Sequence, residues 1–133
     1  RKKISVYADK NTKKYLFNTF SFCFNDSASY PSTLMMNDLK NIHVFNLKKN
    51  KVKIRAIKVQ HGKINSIAYI INSKCAYAPD VNKIYSKDYK YFKKLKYLVI
   101  DCLRYNYHPS HFCLDDVLKF VSIVKPKRTI SKK

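Results

Sequence analysis

Three short segments place metal-binding and proton-transferring side chains in an order that points to metal-dependent hydrolysis. They are His61-Gly62, the run Cys75-Ala76-Tyr77-Ala78-Pro79-Asp80, and Asp101-Cys102-Leu103-Arg104 leading into His108-Pro109-Ser110-His111-Phe112. A hydrolytic metal centre needs neutral imidazoles and carboxylates, because these bind zinc, manganese or iron without redox chemistry and leave a position open for water. Two metals about 3.5–4 Å apart need a carboxylate between them, and the pair then activates hydroxide and steadies phosphoryl oxygens. In such a centre Asp80 takes the bridge.

Each residue also has a plainer reading. Asp80 closes an Asx turn onto Asn82, and His61 is a turn histidine followed by a glycine in the left-handed conformation. His108, ahead of Pro109, is a loop residue. His111 either acts on a substrate oxyanion or caps the following helix. Asp101 either orients Arg104 or His111, or satisfies loop amides, and Arg104 either forks onto a phosphate or pairs with Asp101.

The elements that must position these residues can be read from periodicity. Ile4-Ser5-Val6-Tyr7-Ala8 is strand-like, and Asp9 or Asn11 caps a helix to about Phe20 with Tyr15, Leu16, Thr19 and Phe20 as its stripe. Residues 25–31 form a polar loop ending in proline. Residues 51–59 alternate Lys51, Lys53 and Arg55 with Val52, Ile54 and Ala56, a half-buried strand that delivers His61. Residues 67–71 and 74–78, separated by Asn72-Ser73, read as a hairpin whose second arm delivers Asp80. Residues 86–95 suit a short helix with Tyr89, Phe92 and Leu95 on its buried side, and Tyr97-Leu98-Val99-Ile100 is a buried strand delivering Asp101. Leu114, Val117, Leu118 and Val121 share one helix face, with Asp115 and Asp116 in its positively polarised first turn. Strands alternate with helices and the candidates follow strand ends, which implies an α/β fold.

Composition excludes several classes. The 133 residues are 46% apolar and 14% aromatic, enough for one small core and unlike a disordered chain. The single glycine excludes a P-loop or a GxGxxG dinucleotide turn. Cys23, Cys75, Cys102 and Cys113 form no CxxC pair, and with no secretory signal visible they read as reduced thiols of a cytoplasmic protein. No apolar stretch is long enough to span a bilayer, so no membrane insertion is expected. The net charge of +20 comes from 28 Lys and Arg against eight acids, every one of them Asp. It favours anionic partners, and nonspecific nucleic-acid binding is the second functional reading. Because the lysines are scattered through every element, composition accounts for the charge better than a dedicated nucleic-acid segment does.

Several runs resemble the C-terminal half of a metallo-β-lactamase-fold hydrolase. They are Val59-Gln60-His61-Gly62 with Asn65-Ser66-Ile67-Ala68-Tyr69, then Tyr77-Ala78-Pro79-Asp80-Val81, Val99-Ile100-Asp101-Cys102-Leu103-Arg104-Tyr105 and His108-Pro109-Ser110-His111-Phe112. Within that superfamily they are most similar to the branch that includes the phosphoribosyl cyclic-phosphate phosphodiesterase of phosphonate breakdown. Val6-Tyr7-Ala8-Asp9 resembles the segment after that family's first metal motif.

The resemblance implies a single partial αββα-sandwich domain over 1–133, with one sheet and its helices, cut at both ends. It implies His61 and Asp80 as metal ligands, Asp80 bridging, and His111 as the residue that handles phosphate or protonates the leaving group. Asp101 and Arg104 take supporting roles. Two divalent ions, zinc or manganese, and a small phosphorylated substrate are expected for the intact enzyme.

The family's HxHxDH motif matches nothing in this chain, and Thr129-Ile130-Ser131-Lys132-Lys133 stands where the last metal histidine is expected. Pro79 replaces a small hydroxyl residue and Ala68 a glycine. The expectation is therefore weak or absent metal binding, no activity from this polypeptide by itself, and an exposed apolar sheet face prone to aggregation. The sequence leaves the oligomeric state open.

Overall fold

The computed structural model describes residues 2–27 and 29–132. The chain divides into two compact units, Arg1–Lys40 and Asn41–Lys133.

In the first unit, β1 (Ile4–Ala8) runs into α1 (Lys10–Thr19), as the sequence predicts. Asp9 is the cap: its carboxylate accepts the N–H groups of Asn11 at 2.9 Å and Thr12 at 3.2 Å, and the Thr12 hydroxyl at 2.7 Å. The predicted apolar stripe is not buried, since α1 has no buried residue and Tyr15 and Phe20 are exposed. A short α2 (Ser21–Phe24) follows, then the expected loop, of which residue 28 lies outside the described residues, then β2 (Leu34–Asp38). β2 pairs in parallel with β1, from Ile4 opposite Leu34 to Ala8 opposite Asp38. The sequence reading did not assign β2, whose Leu-Met-Met-Asn-Asp run lacks β-branched residues and clear alternation.

The second unit holds a six-stranded sheet in the order β3 (Ile42–Leu47), β4 (Asn50–His61), β5 (Ile64–Ile71), β6 (Cys75–Ala78), β7 (Tyr97–Asp101) and β8 (Arg128–Lys132). The β3 to β6 neighbours are antiparallel, and β6, β7 and β8 run in parallel. The β5–β6 hairpin turns as predicted at Asn72 and Ser73, with φ of 51° and 52° and the Lys74 N–H on the Ile71 carbonyl at 2.9 Å. This is the geometry of a tight I′ turn.

Register places Ile57 and Val59, Ala68 and Ile70, Ala76 and Ala78, and Leu98 and Ile100 on one face of the sheet. All are buried, together with Phe92 and Leu95 and with Val117, Phe120 and Val124 of α3 (Leu114–Val124). The alanines leave room for a ring cluster in which Phe120 packs edge-on against Tyr89 at 5.2 Å and Phe92 at 5.5 Å. Two expectations need correction. Residues 86–95 contain a short 3-10 helix, Ser86–Tyr91, although Phe92 and Leu95 are buried as expected. On α3 the buried stripe turns toward Phe120 and Val124, and Leu118 is 55% exposed.

The opposite face of the sheet is partly open, with Tyr77 and Ile130 exposed, as are Ile42, Val44 and Leu47 on the edge strand β3. No helix among the described residues is long and apolar enough to cross a membrane.

Candidate active site

Strand direction gathers the candidates. β4, β6, β7 and β8 all point the same way, so their C-terminal ends lie along one edge of the sheet. His61 is the last residue of β4, Asp80 lies two residues past β6, and Asp101 ends β7. The loop between β7 and α3 returns His108, Ser110 and His111 to the same edge, where the rings of His61 and His111 meet edge-on at 4.6 Å and those of His108 and His111 lie 5.0 Å apart.

The hydrogen bonds define what each ring can do. His61 Nδ1 lies 2.7 Å from the Ser110 carbonyl oxygen, an acceptor only, so Nδ1 carries the proton and Nε2 keeps a lone pair. His111 Nδ1 is hydrogen-bonded to the Asp101 carboxylate, which again places the proton on Nδ1 and leaves Nε2 to bind or release one. The same Asp101 oxygen accepts the Val81 N–H at 3.1 Å in a buried position. Both functions weighed for Asp101, orienting His111 and satisfying a loop amide, are therefore met by one carboxylate.

A hydrogen-bonded frame holds the edge together. Asn82 accepts the Gly62 N–H at 2.9 Å through Oδ1 and donates to the Pro109 carbonyl at 3.0 Å through Nδ2, tying the end of β4 to the histidine loop. Gln60 Nε2 donates to the Gly62 carbonyl at 3.0 Å. Gly62 adopts φ +60°, as the turn reading requires, and a Cβ there would lie 2.9 Å from Ser110 Cβ. The glycine thus permits the close approach that puts the Ser110 carbonyl on His61.

Three alternatives are settled by these contacts. His111 does not cap α3: the N-cap is Cys113, and the Asp116 carboxylate accepts its N–H at 3.3 Å and its Sγ–H at 3.1 Å. Asp80 forms no Asx turn, because the Asn82 N–H donates instead to the Gln60 carbonyl at 2.9 Å. Arg104 is exposed and donates to the Tyr107 carbonyl at 2.9 Å, while the Asp101 carboxylate is engaged by His111.

His108 is the residue that sequence reasoning undervalued. Its Nδ1 accepts the Ser110 N–H at 3.3 Å and stands 3.1 Å from the Ser110 hydroxyl, so it braces the residue whose carbonyl orients His61. Partial desolvation, with the Arg104 charge second, holds its imidazole below the usual histidine value. The signal available was the His-Pro-Ser-His spacing itself.

Among the described residues no three His, Cys or Asp side chains form a group that could hold a metal ion. Two side chains have the donor chemistry a metal ligand needs. His61 has Nε2 in reserve with Nδ1 fixed by a backbone carbonyl, the usual bracing of a metal histidine, and the half-buried Asp80 carboxylate accepts no hydrogen bond from a described residue.

Comparison with known proteins gives the family and the fold. The family described as "Beta-lactamase superfamily domain" matches residues 1–131, and the chain belongs to that superfamily, with the metallo-β-lactamase fold of its hydrolases. Among solved structures, a diphosphatase of the PhnP family is similar with a TM-score of 0.82 at 24% identity, over 98% of this chain and 47% of that one. YhfI from Bacillus subtilis matches with a TM-score of 0.71 at 10% identity, over 96% and 51%. Human tRNase Z, short form, matches with a TM-score of 0.65 at 13% identity, over 99% and 60%. The chain thus spans about half the length of these proteins. No curated protein matches it.

Proposed function

We propose that this chain carries one half of a hydrolase centre for a phosphodiester or cyclic phosphate, and that it is inactive by itself. The observation that carries this reading is the Asp101–His111–His61 arrangement, in which two imidazoles with free Nε2 atoms meet at the strand-end edge where Asp80 also lies. The names of two similar folds, a diphosphatase and a tRNase, support a phosphorus-centred substrate.

His61 and Asp80 would hold divalent metal, zinc or manganese, which supplies hydroxide near neutral pH and offsets phosphoryl charge. The chain's own chemistry resides in His111. Asp101 accepts from Nδ1 and so fixes its tautomer and orientation, leaving Nε2 to pass a proton to a phosphate oxygen or to the departing alkoxide. Inactivity follows from donor count: two protein ligands do not hold a dinuclear centre tightly.

The test is calorimetric titration of the chain with zinc and with manganese. Weak binding that disappears in the His61→Ala, Asp80→Ala double variant is expected, whereas tight uptake of two ions by this chain would overturn the inactive-half reading. The flanking reading frame tests the enzyme as a whole. An HxHxDH codon run upstream and a Thr-His pair downstream support it, and stop codons on both sides refute it.

A further inference from the structure

A second cluster on the same sheet is unconnected with the histidines. Lys53 and Arg55, two residues apart on β4, project on one face, and together with Lys90, Tyr91 and Lys93 they line a cavity of about 170 Å³. Its floor is the buried pair Ile70 and Leu95, and Ser73 lies at its rim. The Arg55 guanidinium lies over the Tyr91 ring at 4.4 Å and the Lys90 ammonium approaches the same ring at 5.1 Å. Among the described residues none of these four cations forms an ion pair with a carboxylate. Like charges gathered around a partly apolar cavity repel one another, and an anion seated among them relieves that cost.

We propose that this cavity is a binding site for the phosphoryl or pyrophosphoryl end of a small molecule. The volume holds on the order of five waters, enough for phosphoryl oxygens and too small for a nucleoside as well. Stacking on Tyr91 fixes the plane of the Arg55 guanidinium and leaves its N–H edge for oxyanions. Arg55 precedes His61 by six residues of one strand, about 20 Å, so a phosphoryl group held here is not the one presented to the histidines.

The experiment is a titration of the chain with inorganic pyrophosphate followed by amide NMR. Saturable one-to-one shifts at residues 53, 73, 91 and 93 are expected. Arg55→Gln and Lys93→Gln should each weaken binding roughly tenfold. Lys49→Gln with Lys119→Gln, a larger charge loss placed elsewhere, should change it less than about twofold. Lys93 is exposed, so its variant tests the site without loss of the Tyr91 stack. Unsaturable shifts spread over the lysine-bearing surface, or equal weakening in the control, would overturn the proposal. Displacement of pyrophosphate by an oligonucleotide without terminal phosphate, at equal phosphate concentration, would overturn the small-molecule assignment.

Discussion

At the residue scale the site depends on which nitrogen of each histidine carries the proton. His61 and His111 each commit Nδ1 to an oxygen acceptor, whereas His108 Nδ1 accepts from Ser110. Long-range imidazole NMR at neutral pH should therefore show the Nδ1–H tautomer for His61 and His111 and the Nε2–H tautomer for His108. An Nε2–H tautomer at His111 would remove the basis for its assigned function. Gly62 is the second residue on which the arrangement turns. Alanine there meets both a positive φ and the Ser110 Cβ at 2.9 Å, so Gly62→Ala should cost roughly 1–3 kcal/mol in denaturant unfolding and disturb the His61 ring signals. Gly62 and His61 were legible from their adjacency in sequence. Asn82 and His108 were not, because their functions are hydrogen bonds across 20 or more residues of chain and across a loop turn.

At the element scale α3 separates helix propensity from packing. The 3.6-residue period predicted the helix correctly but admits neighbouring stripes, and the ring cluster with Tyr89 and Phe92 selects the one containing Phe120. Phe120→Ala should destabilise the chain by about 3–5 kcal/mol and Leu118→Ala by no more than about 0.5 kcal/mol, as measured by chemical denaturation. The loop before β2 offers a pH test. Asp26 is pushed down to about 2 from 3.8, first by the Ser32 N–H, then by the Ser32 hydroxyl and by Lys3. A carboxylate with a depressed folded value contributes stability above its unfolded value and loses it as pH falls through the folded one. The Ser32 amide should therefore stay protected above pH 3.8 and lose protection as pH falls toward about 2. Asp26→Ala should abolish that step, which hydrogen exchange measures.

At the scale of the molecule, charge and exposed apolar surface act in opposite directions. The +20 charge opposes self-association, while the open edge β3 with Ile42, Val44 and Leu47 exposed, and Ile130 on β8, invite it. Light scattering should accordingly show aggregation rising with salt as repulsion is screened; salt-independent monodispersity would show that these edges are harmless. By itself the sequence determined the mixed α/β class, the β5–β6 turn, a helix capped at Asp9 or Asn11 and the order of His61, Asp80, Asp101 and His111, because these rest on local periodicity, turn chemistry and residue type. The expected alternation of strands with helices fails from β2 to β6, which follow one another without a helix. Tertiary structure alone decided that β2 pairs with β1, which face of α3 is buried, and that Asp101 is bonded to His111 rather than Arg104. It also decided that four dispersed cations meet over Ile70 and Leu95. Those outcomes depend on strand register and on which chain segments the fold brings together, and sequence spacing carries no record of either.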